Sequence, residues 1–240
     1  NGNSDIFVMK LDSAGVFQWA RSLGAAGADT AIDVAFDSTG SNVYVTGTFS
    51  NTVDFDPGAG TANLASSGGL DAYVLKLDAA GSYVWARGVG GTSSDQGTSL
   101  ATDSTGATYI TGYFSDTVDF DPGAGTSNLI SAGSLDIYTL KLDAAGSYVW
   151  ARGVGGTGSD NPNAIALDAS GNVLNVGAFS GTADFDPGVG TSNLVSAGSE
   201  DAYVLKLNSS GDFVLVNGYG AAGADRAGGV ASNSSDEIYI

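Results

Sequence analysis

The octapeptide Asp71-Ala72-Tyr73-Val74-Leu75-Lys76-Leu77-Asp78 returns along the chain and decides how the rest of the sequence is interpreted. Close copies start at Asp136 and Asp201, and a fainter copy starts at Asp5. A short apolar and aromatic run of this kind is typical of a β-strand, and self-similarity at a fixed period indicates a repeat architecture. The 240-residue chain therefore contains four copies of one unit about 65 residues long.

Other markers keep the same period. The segment Asp54-Phe55-Asp56-Pro57-Gly58 recurs at 119–123 and 184–188. The four lysines are spaced in the same way, and so are three Trp-Ala-Arg triplets: Lys10, Lys76, Lys141, Lys206, and the triplets ending at Arg21, Arg87 and Arg152. A stacked architecture preserves such symmetry, whereas chemistry at a single site would break it. We expect one repeat-built domain, 1–240, with units of approximately 1–66, 67–131, 132–196 and 197–240.

Each unit contains four strand-like runs. In one unit they lie at 95–103, 108–114, 137–142 and 147–154, with a long glycine-rich loop between the second and the third. The short Asp-x-x-Gly segments are hairpin turns in which glycine supplies a positive φ. Four antiparallel strands per unit predict an all-β fold, a β-propeller of four-stranded antiparallel blades with four blade equivalents.

Two features of the strands suggest how the blades sit. Small residues recur on the first strand, which we place innermost: Ala35, Ala101, Ala166 and Ala231. Trp19, Trp85 and Trp150 fall on the last strand, where packing between blades is a simpler role than ligand stacking. The chain starts with two outer strands and ends with two inner ones. It is therefore either a closed four-bladed ring or a fragment of a longer array.

The residues resemble a known family. The string Asp-x-Tyr-Val-x-Lys-Leu-Asp-x-x-Gly-x-x-x-Trp at 71–85, followed by Gly90-Gly91 and later by Tyr-Ile-Thr-Gly at 109–112, is similar to the bacterial β-propeller repeat called SBBP. The resemblance implies a propeller in a large exported bacterial protein, with extracellular or cell-surface location and no catalytic or ligand residues to transfer. The sequence departs from the family in its Asp-Phe-Asp-Pro-Gly insertion and in a degraded last unit, with Asn208 for Asp and Leu215 for Trp.

Composition narrows the function classes. The chain has no histidine and no cysteine, so the commonest general base and thiolate chemistry are absent. A formal net charge of -18 disfavours nucleic acid and anionic membrane surfaces as partners. No apolar run reaches the roughly 18 residues of a membrane span, so membrane insertion is not expected. The residues that break the repeat show no common site, and we expect no enzyme: Asn161, Glu200, Asp212, Arg226 and Glu237.

The inserted loop is the best candidate for a metal site. In an extended segment Asp54 and Asp56 share one side, roughly 7 Å apart, while Phe55 points the other way. Calcium would neutralise such a pair, because it prefers carboxylate and backbone oxygens. The candidate ligands are Asp54, Asp56, Asp119, Asp121, Asp184 and Asp186. Alternatively, Asp56 only starts a turn, Phe55 is a hydrophobic plug, and Asp54 pairs with a repeated Lys or Arg.

Two function hypotheses follow. The first is a non-catalytic structural or adhesive module of a bacterial surface or secreted protein, whose partners are other protein subunits or copies of itself. The second is a carbohydrate- or protein-binding module, with surface glycans as ligands of one acidic, calcium-loaded face. That face would combine the inserted loops with the connections between blades, which carry Asp29, Asp95, Asp160 and Asp225.

Overall fold

A computed structural model describes residues 2–240, and every regular element in that range is a β-strand. An antiparallel hairpin comes first, made of β1 (Ile6–Leu11) and β2 (Phe17–Leu23). Over the described range there is no helical segment with the length and apolarity needed to cross a membrane. The all-β prediction is confirmed.

Three complete sets of strands follow. The first set is β3 (Thr30–Phe36), β4 (Asn42–Phe49), β5 (Thr52–Asp54), β6 (Asn63–Ala65), β7 (Asp71–Asp78) and β8 (Tyr83–Val89). The second is β9 (Gln96–Thr102), β10 (Thr108–Phe114), β11 (Thr117–Asp119), β12 (Asn128–Ile130), β13 (Asp136–Leu142) and β14 (Tyr148–Gly156). The third is β15 (Asn161–Leu167), β16 (Val173–Phe179), β17 (Thr182–Asp184), β18 (Asn193–Val195), β19 (Asp201–Leu207) and β20 (Phe213–Tyr219). The strands β21 (Ala231–Ser232) and β22 (Ile238–Tyr239) come last.

In each set the four longer strands pair into an antiparallel sheet, in the order β3-β4-β7-β8 in the first set. The register repeats as well, since Tyr44 lies opposite Lys76 and Tyr109 lies opposite Lys141. The strand that carries the lysine also has a register shift between that lysine and the leucine after it, as between Lys76 and Leu77 and between Lys141 and Leu142. The sequence repeat is therefore a structural repeat.

The inserted segment differs from the prediction, because it is a short hairpin rather than a loop. Strands β5 and β6 pair antiparallel, and the copies β11–β12 and β17–β18 do the same. The third hairpin also extends a sheet, since Gly155 and Gly156 of β14 pair with Asp184 and Ala183 of β17. Each of the three complete sets thus has six strands, and the second and third hairpins pair with residues at the end of the preceding outer strand.

The hairpins are held by their central phenylalanine. The Phe55 ring lies 4.9 Å from the Tyr73 ring and 5.5 Å from the Phe49 ring, centroid to centroid, and it is fully buried. Phe120 and Phe185 make the same contacts in their own units. The expected hydrophobic plug is confirmed, and it fixes the insert to the sheet core.

The tryptophans pack between neighbouring sheets, as expected. Trp85 is buried among residues of its own and the next sheet, including Tyr44 and Leu142. Its indole nitrogen donates to the carbonyl of Ala144 in the next unit. Beside it, Arg87 donates to the carbonyls of Ala145 and Gly146. In this arrangement, which we call the junction clasp, a tryptophan and an arginine of one outer strand bond the turn that precedes the outer strand of the next unit.

The lysines contribute to the junction clasp. Lys76 and Lys141 donate to the carbonyls of Ala144 and Ser209, which also accept the tryptophan bonds. Both lie on a strand in the middle of a sheet rather than at a sheet edge. Lys206 lies opposite Leu215, which stands where the other units have tryptophan. It forms an ion pair with Asp168 at 2.7 Å.

The first and last hairpins are separate two-stranded sheets. No strand pairing joins β1–β2 to β21–β22 within residues 2–240, so the described sheets are not closed into a ring. An apolar groove remains between β1 and β3, where Phe7 is 71% and Val34 is 52% exposed. At the positions equivalent to Val34, Leu100 and Ile165 are 4% and 6% exposed, because a neighbouring sheet covers them.

Candidate functional site

The inserted hairpins turn through their own aspartates. One oxygen of Asp119 accepts the backbone N–H groups of Asp121 at 3.0 Å and Ser127 at 2.8 Å, closing the loop between β11 and β12. Asp121 in turn accepts the N–H of Gly123 at 2.8 Å. A carboxylate that bonds backbone amides two residues on is the usual way in which aspartate makes a turn.

The other two hairpins repeat these bonds. Asp54 accepts the N–H groups of Asp56 and Ala62, and Asp184 accepts those of Asp186 and Ser192. The turn interpretation is therefore correct about Asp56 and about the plug. It is wrong about the partner of Asp54, which is backbone N–H rather than a Lys or Arg side chain.

The six candidate calcium ligands lie in pairs in three separate hairpins: Asp54 with Asp56, Asp119 with Asp121, and Asp184 with Asp186. Across residues 2–240 no group of three or more carboxylate, histidine or cysteine side chains is arranged to hold a metal ion. One oxygen of each first aspartate already accepts two N–H groups. Calcium at these positions stays a prediction.

The aspartates between units are structural rather than part of an exposed acidic face. Asp95 is buried and accepts the N–H groups of Gly91 at 2.7 Å and Ser115 at 3.1 Å. Ser115 directly precedes the inserted hairpin, so this connection and the hairpin do lie at the same end of the sheet. Burial raises the pKa of the Asp95 carboxyl. Asp29 and Asp160 are buried in the same way, so that face exposes fewer carboxylates than expected.

A second aspartate lies close to Asp95 and another lies close to Asp160. Asp71, at the start of β7, accepts the N–H of Ser67 at 2.8 Å with one oxygen. Its other oxygen is buried without a hydrogen-bond partner, and so are the equivalent oxygens of Asp136 and Asp201. Asp136 and Asp201 likewise accept a local backbone N–H, from Ala132 and Ala197. Their burial, and the unpaired oxygen, could not be foreseen.

The Asp71 and Asp136 carboxyls are perturbed. Burial raises the pKa of Asp71 to about 6, the nearby Asp95 charge adds to the increase, and the bond from Ser67 opposes it. Burial and the Asp160 charge raise the pKa of Asp136 to about 6 as well. A glycine makes room for each carboxyl, because a Cβ placed on Gly90 would lie 2.3 Å from Cγ of Asp71. Gly90 and Gly155, which follow the Trp-Ala-Arg triplets ending at Arg87 and Arg152, are the sequence signal for this packing.

Two clefts open between consecutive hairpins. The first has a volume of about 330 Å³ and is lined by Leu64, Asp71, Val89, Asp119 and Asp121, among others. The second has a volume of about 190 Å³ and is lined by the equivalent residues Leu129, Asp136, Val154, Asp184 and Asp186. The structure therefore brings two of the six candidate ligands together with Asp71 in the first cleft and with Asp136 in the second.

Comparisons with known proteins agree with a repeat fold. No family model matches the chain, so the resemblance to SBBP repeats stays a prediction. The regulatory protein FlaEY of Caulobacter vibrioides is 34% identical over 139 residues, which cover 56% of this chain and 14% of that protein. An uncharacterized WD repeat-containing protein of Acanthamoeba polyphaga mimivirus is 27% identical over 206 residues, covering 75% of this chain and 15% of that protein. The chain thus spans about one seventh of the length of either relative.

Proposed function

We propose that the chain is a β-propeller repeat module that acts without catalysis, as a structural or adhesive part of a bacterial surface or secreted protein. The observation that carries this proposal is the junction clasp. Trp19, Trp85 and Trp150 bond the turn of the next unit at three successive junctions, by identical chemistry. Such redundancy suits a scaffold, since its stability depends on repeated contacts between neighbours.

Two further points support the propeller. The viral relative is named for its WD repeats, which elsewhere build four-stranded propeller blades. The innermost strands β3, β9 and β15 lie beside one another in order, as blades around an axis require. The secreted or surface location rests on the SBBP resemblance alone.

Self-association is the second part of the proposal. The groove between β1 and β3 exposes Phe7, Met9, Val34 and Phe36, an apolar surface that neighbouring sheets cover at the equivalent internal positions. Contiguous exposed apolar surface marks an interaction site. Two strands from another copy of the chain, with the chemistry of β21 and β22, would extend β1 and cover this groove.

The test is the mass of the purified protein in solution as a function of concentration, by sedimentation velocity. We expect association that V34D abolishes, since an aspartate would place an unpaired charge in the apolar contact. V84D is the matched control, because Val84 is also exposed but lies outside the groove. A monomer at all concentrations, or equal effects of both variants, would show the self-association proposal to be wrong.

The second candidate function is binding of glycan or protein by the hairpin face. It is favoured by the two clefts, which are concave and repeat at consecutive junctions. Screening the protein against glycans, with and without calcium, tests this candidate. D119N and D184N should both weaken any binding that uses this face. Binding that neither variant changes would exclude this face as the binding site.

A further inference from the structure

The two clefts described above share one construction. Each lies between the outer strand of one unit and the inserted hairpin of the next, where Gly90 bridges to Asp119 and Gly155 pairs with Asp184. The inner wall holds Asp71 or Asp136, and the outer wall holds the turn carboxylates of the next hairpin. The same site is therefore built twice by residues 65 positions apart.

Negative charge in these clefts lacks a cationic partner. None of the ion pairs formed within residues 2–240 involves Asp71, Asp119 or Asp121, or their equivalents in the second cleft. Arg87 lines the first cleft, but its guanidinium nitrogens donate to three backbone carbonyls, including Gly146 at 2.8 Å. No arginine or lysine lines the second cleft. Both clefts are thus suited to a cation from outside the chain.

The buried carboxyls point to the same conclusion independently. Asp71 and Asp136 are only 2% and 4% exposed, yet each leaves one oxygen without a donor. A buried acceptor without a donor is destabilising, because it has lost its hydrogen bonds to water without replacement. Each of these residues also faces a second buried carboxylate, Asp95 or Asp160. A hydrogen-bond donor that carries positive charge would satisfy the oxygen and reduce the repulsion at once.

The residues that line the clefts favour an organic cation over a metal ion. A calcium ion takes 6–8 oxygen ligands, whereas no three carboxylates within residues 2–240 converge closely enough to share a metal. The remaining walls are apolar, with Leu64 and Val89 in the first cleft and Leu129 and Val154 in the second. An aliphatic stem can lie along such a wall while its ammonium group reaches a carboxylate.

We propose that each cleft binds a primary ammonium group on an aliphatic stem, the chemistry shared by a lysine side chain and a free diamine. The ammonium donates to the unpaired oxygen of Asp71 or Asp136, and the turn carboxylates of the following hairpin attract it by their negative charge. The stem packs on the leucine and the valine. This inference deepens the second candidate function, and its test uses small amines so that its failure is separable from a failure to bind glycan or protein.

The experiment titrates the wild-type protein with cadaverine at low salt and follows binding by calorimetry and by NMR shifts. The uncharged diol of the same length should bind at least tenfold more weakly, because it lacks the charge. The double variant D71N/D136N should weaken cadaverine binding at least tenfold, since an amide presents a donor toward the ammonium. D212N is the matched control and should have no effect, because Asp212 is exposed and lies in neither cleft.

Two measurements on the wild-type protein keep the test decisive if the double variant is unstable. Binding should weaken roughly tenfold from pH 7.5 to pH 5, because protons compete for carboxyls whose pKa is about 6. It should also weaken with added salt, as a charge-driven contact does. Equal binding of diol and diamine, no effect of D71N/D136N in a folded protein, or calcium binding that cadaverine does not displace would each overturn the proposal.

A last comparison separates the two sources of the ammonium group. If acetyl-lysine methylamide binds at least as tightly as cadaverine, the site is suited to a lysine side chain of a partner protein. If cadaverine binds at least tenfold more tightly, a free diamine is the better ligand. Both outcomes support the shared chemistry, whereas binding of neither compound contradicts it.

Discussion

The indole nitrogen of Trp85 lies 3.2 Å from the carbonyl oxygen of Ala144, 59 residues further along the chain, and donates a hydrogen bond to it. The same indole packs against Gly146, so one side chain contacts two residues of a turn in the next unit. The tryptophan that looked in sequence like general inter-sheet packing is a specific connection between units.

Shortening this side chain should destabilise the junction in steps. W85F keeps an aromatic ring but loses the donor to Ala144, and we expect a loss of about 1 kcal/mol. W85A also leaves a cavity and should lose about 3–5 kcal/mol. Urea unfolding measures both values. V84A, at the exposed neighbouring position, is the control; a W85A loss no larger than the V84A loss would contradict the role of the clasp.

Two glycines in turns of the same Asp-x-x-Gly form should respond differently to alanine. Gly146 and Gly171 both have positive φ, 75° and 79°, so alanine costs about 1 kcal/mol at either position. Only at Gly146 would the new Cβ meet the indole, at 2.8 Å from Cδ2 of Trp85, whereas Gly171 has open space. We expect G146A to be the more destabilised variant and to shift tryptophan fluorescence. Equal losses would mean that the turn can move away from the indole freely.

The phenylalanine plug should control the order of its hairpin. F120A removes a buried ring packed between Phe114 and Tyr138, and we expect a loss of about 3–5 kcal/mol. Because β11 and β12 are three residues each, the loss should appear first as faster hydrogen exchange and proteolysis at 117–130. I130A, on the exposed side of the same hairpin, should change neither rate.

Asp119 distinguishes the turn from the calcium hypothesis. D119N keeps an oxygen that can accept the N–H groups of Asp121 and Ser127, so it should preserve stability better than D119A. If the hairpins bind calcium, wild-type protein should melt at a higher temperature with calcium and at a lower one with chelator, and D119N, which alters one of the three hairpins, should reduce both shifts. A melting temperature that changes with neither calcium nor chelator would contradict the metal hypothesis.

Stability should rise as the pH falls from about 7.5 to about 4.5. Asp71 and Asp136 have a pKa of about 6 in the folded protein, above the 3.8 of an unperturbed carboxyl, so the folded state binds protons more tightly across that range. Below about pH 4 the direction reverses, because hydrogen bonds and lysine charges hold the pKa of Asp103 and Asp168 below the usual value despite partial burial. Melting temperatures against pH test this, and D71N/D136N should flatten the rise. A wild-type melting temperature that falls steadily from pH 7.5 would contradict the buried pairs.

The period, the four-stranded sheets and the buried tryptophans were predictable, because each leaves a local signal that recurs every 65 residues. The inserted hairpin was missed, since its strands are only three residues long and its turn is glycine-rich, which resembles a loop in sequence. Phe55 was predictable as a plug because phenylalanine is among the residues most often buried.

The burial of Asp71 and Asp95 could not be foreseen for a different reason. Charged residues in loops are normally exposed, and only the fold shows that two connections from successive units meet there. Gly90 and Gly155 were visible in the sequence, but their role follows from the carboxyl groups that occupy the space a Cβ would need. The unpaired oxygens are likewise a property of three dimensions.

The junction clasp has a direction. Trp19, Trp85 and Trp150 all precede the turns that they hold by 59 or 60 residues. During synthesis, each tryptophan therefore leaves the ribosome before its acceptor, and each new turn can attach to a sheet that has already emerged. Units can be added one after another without waiting for the end of the chain, which makes this design suitable for a protein of any number of repeats.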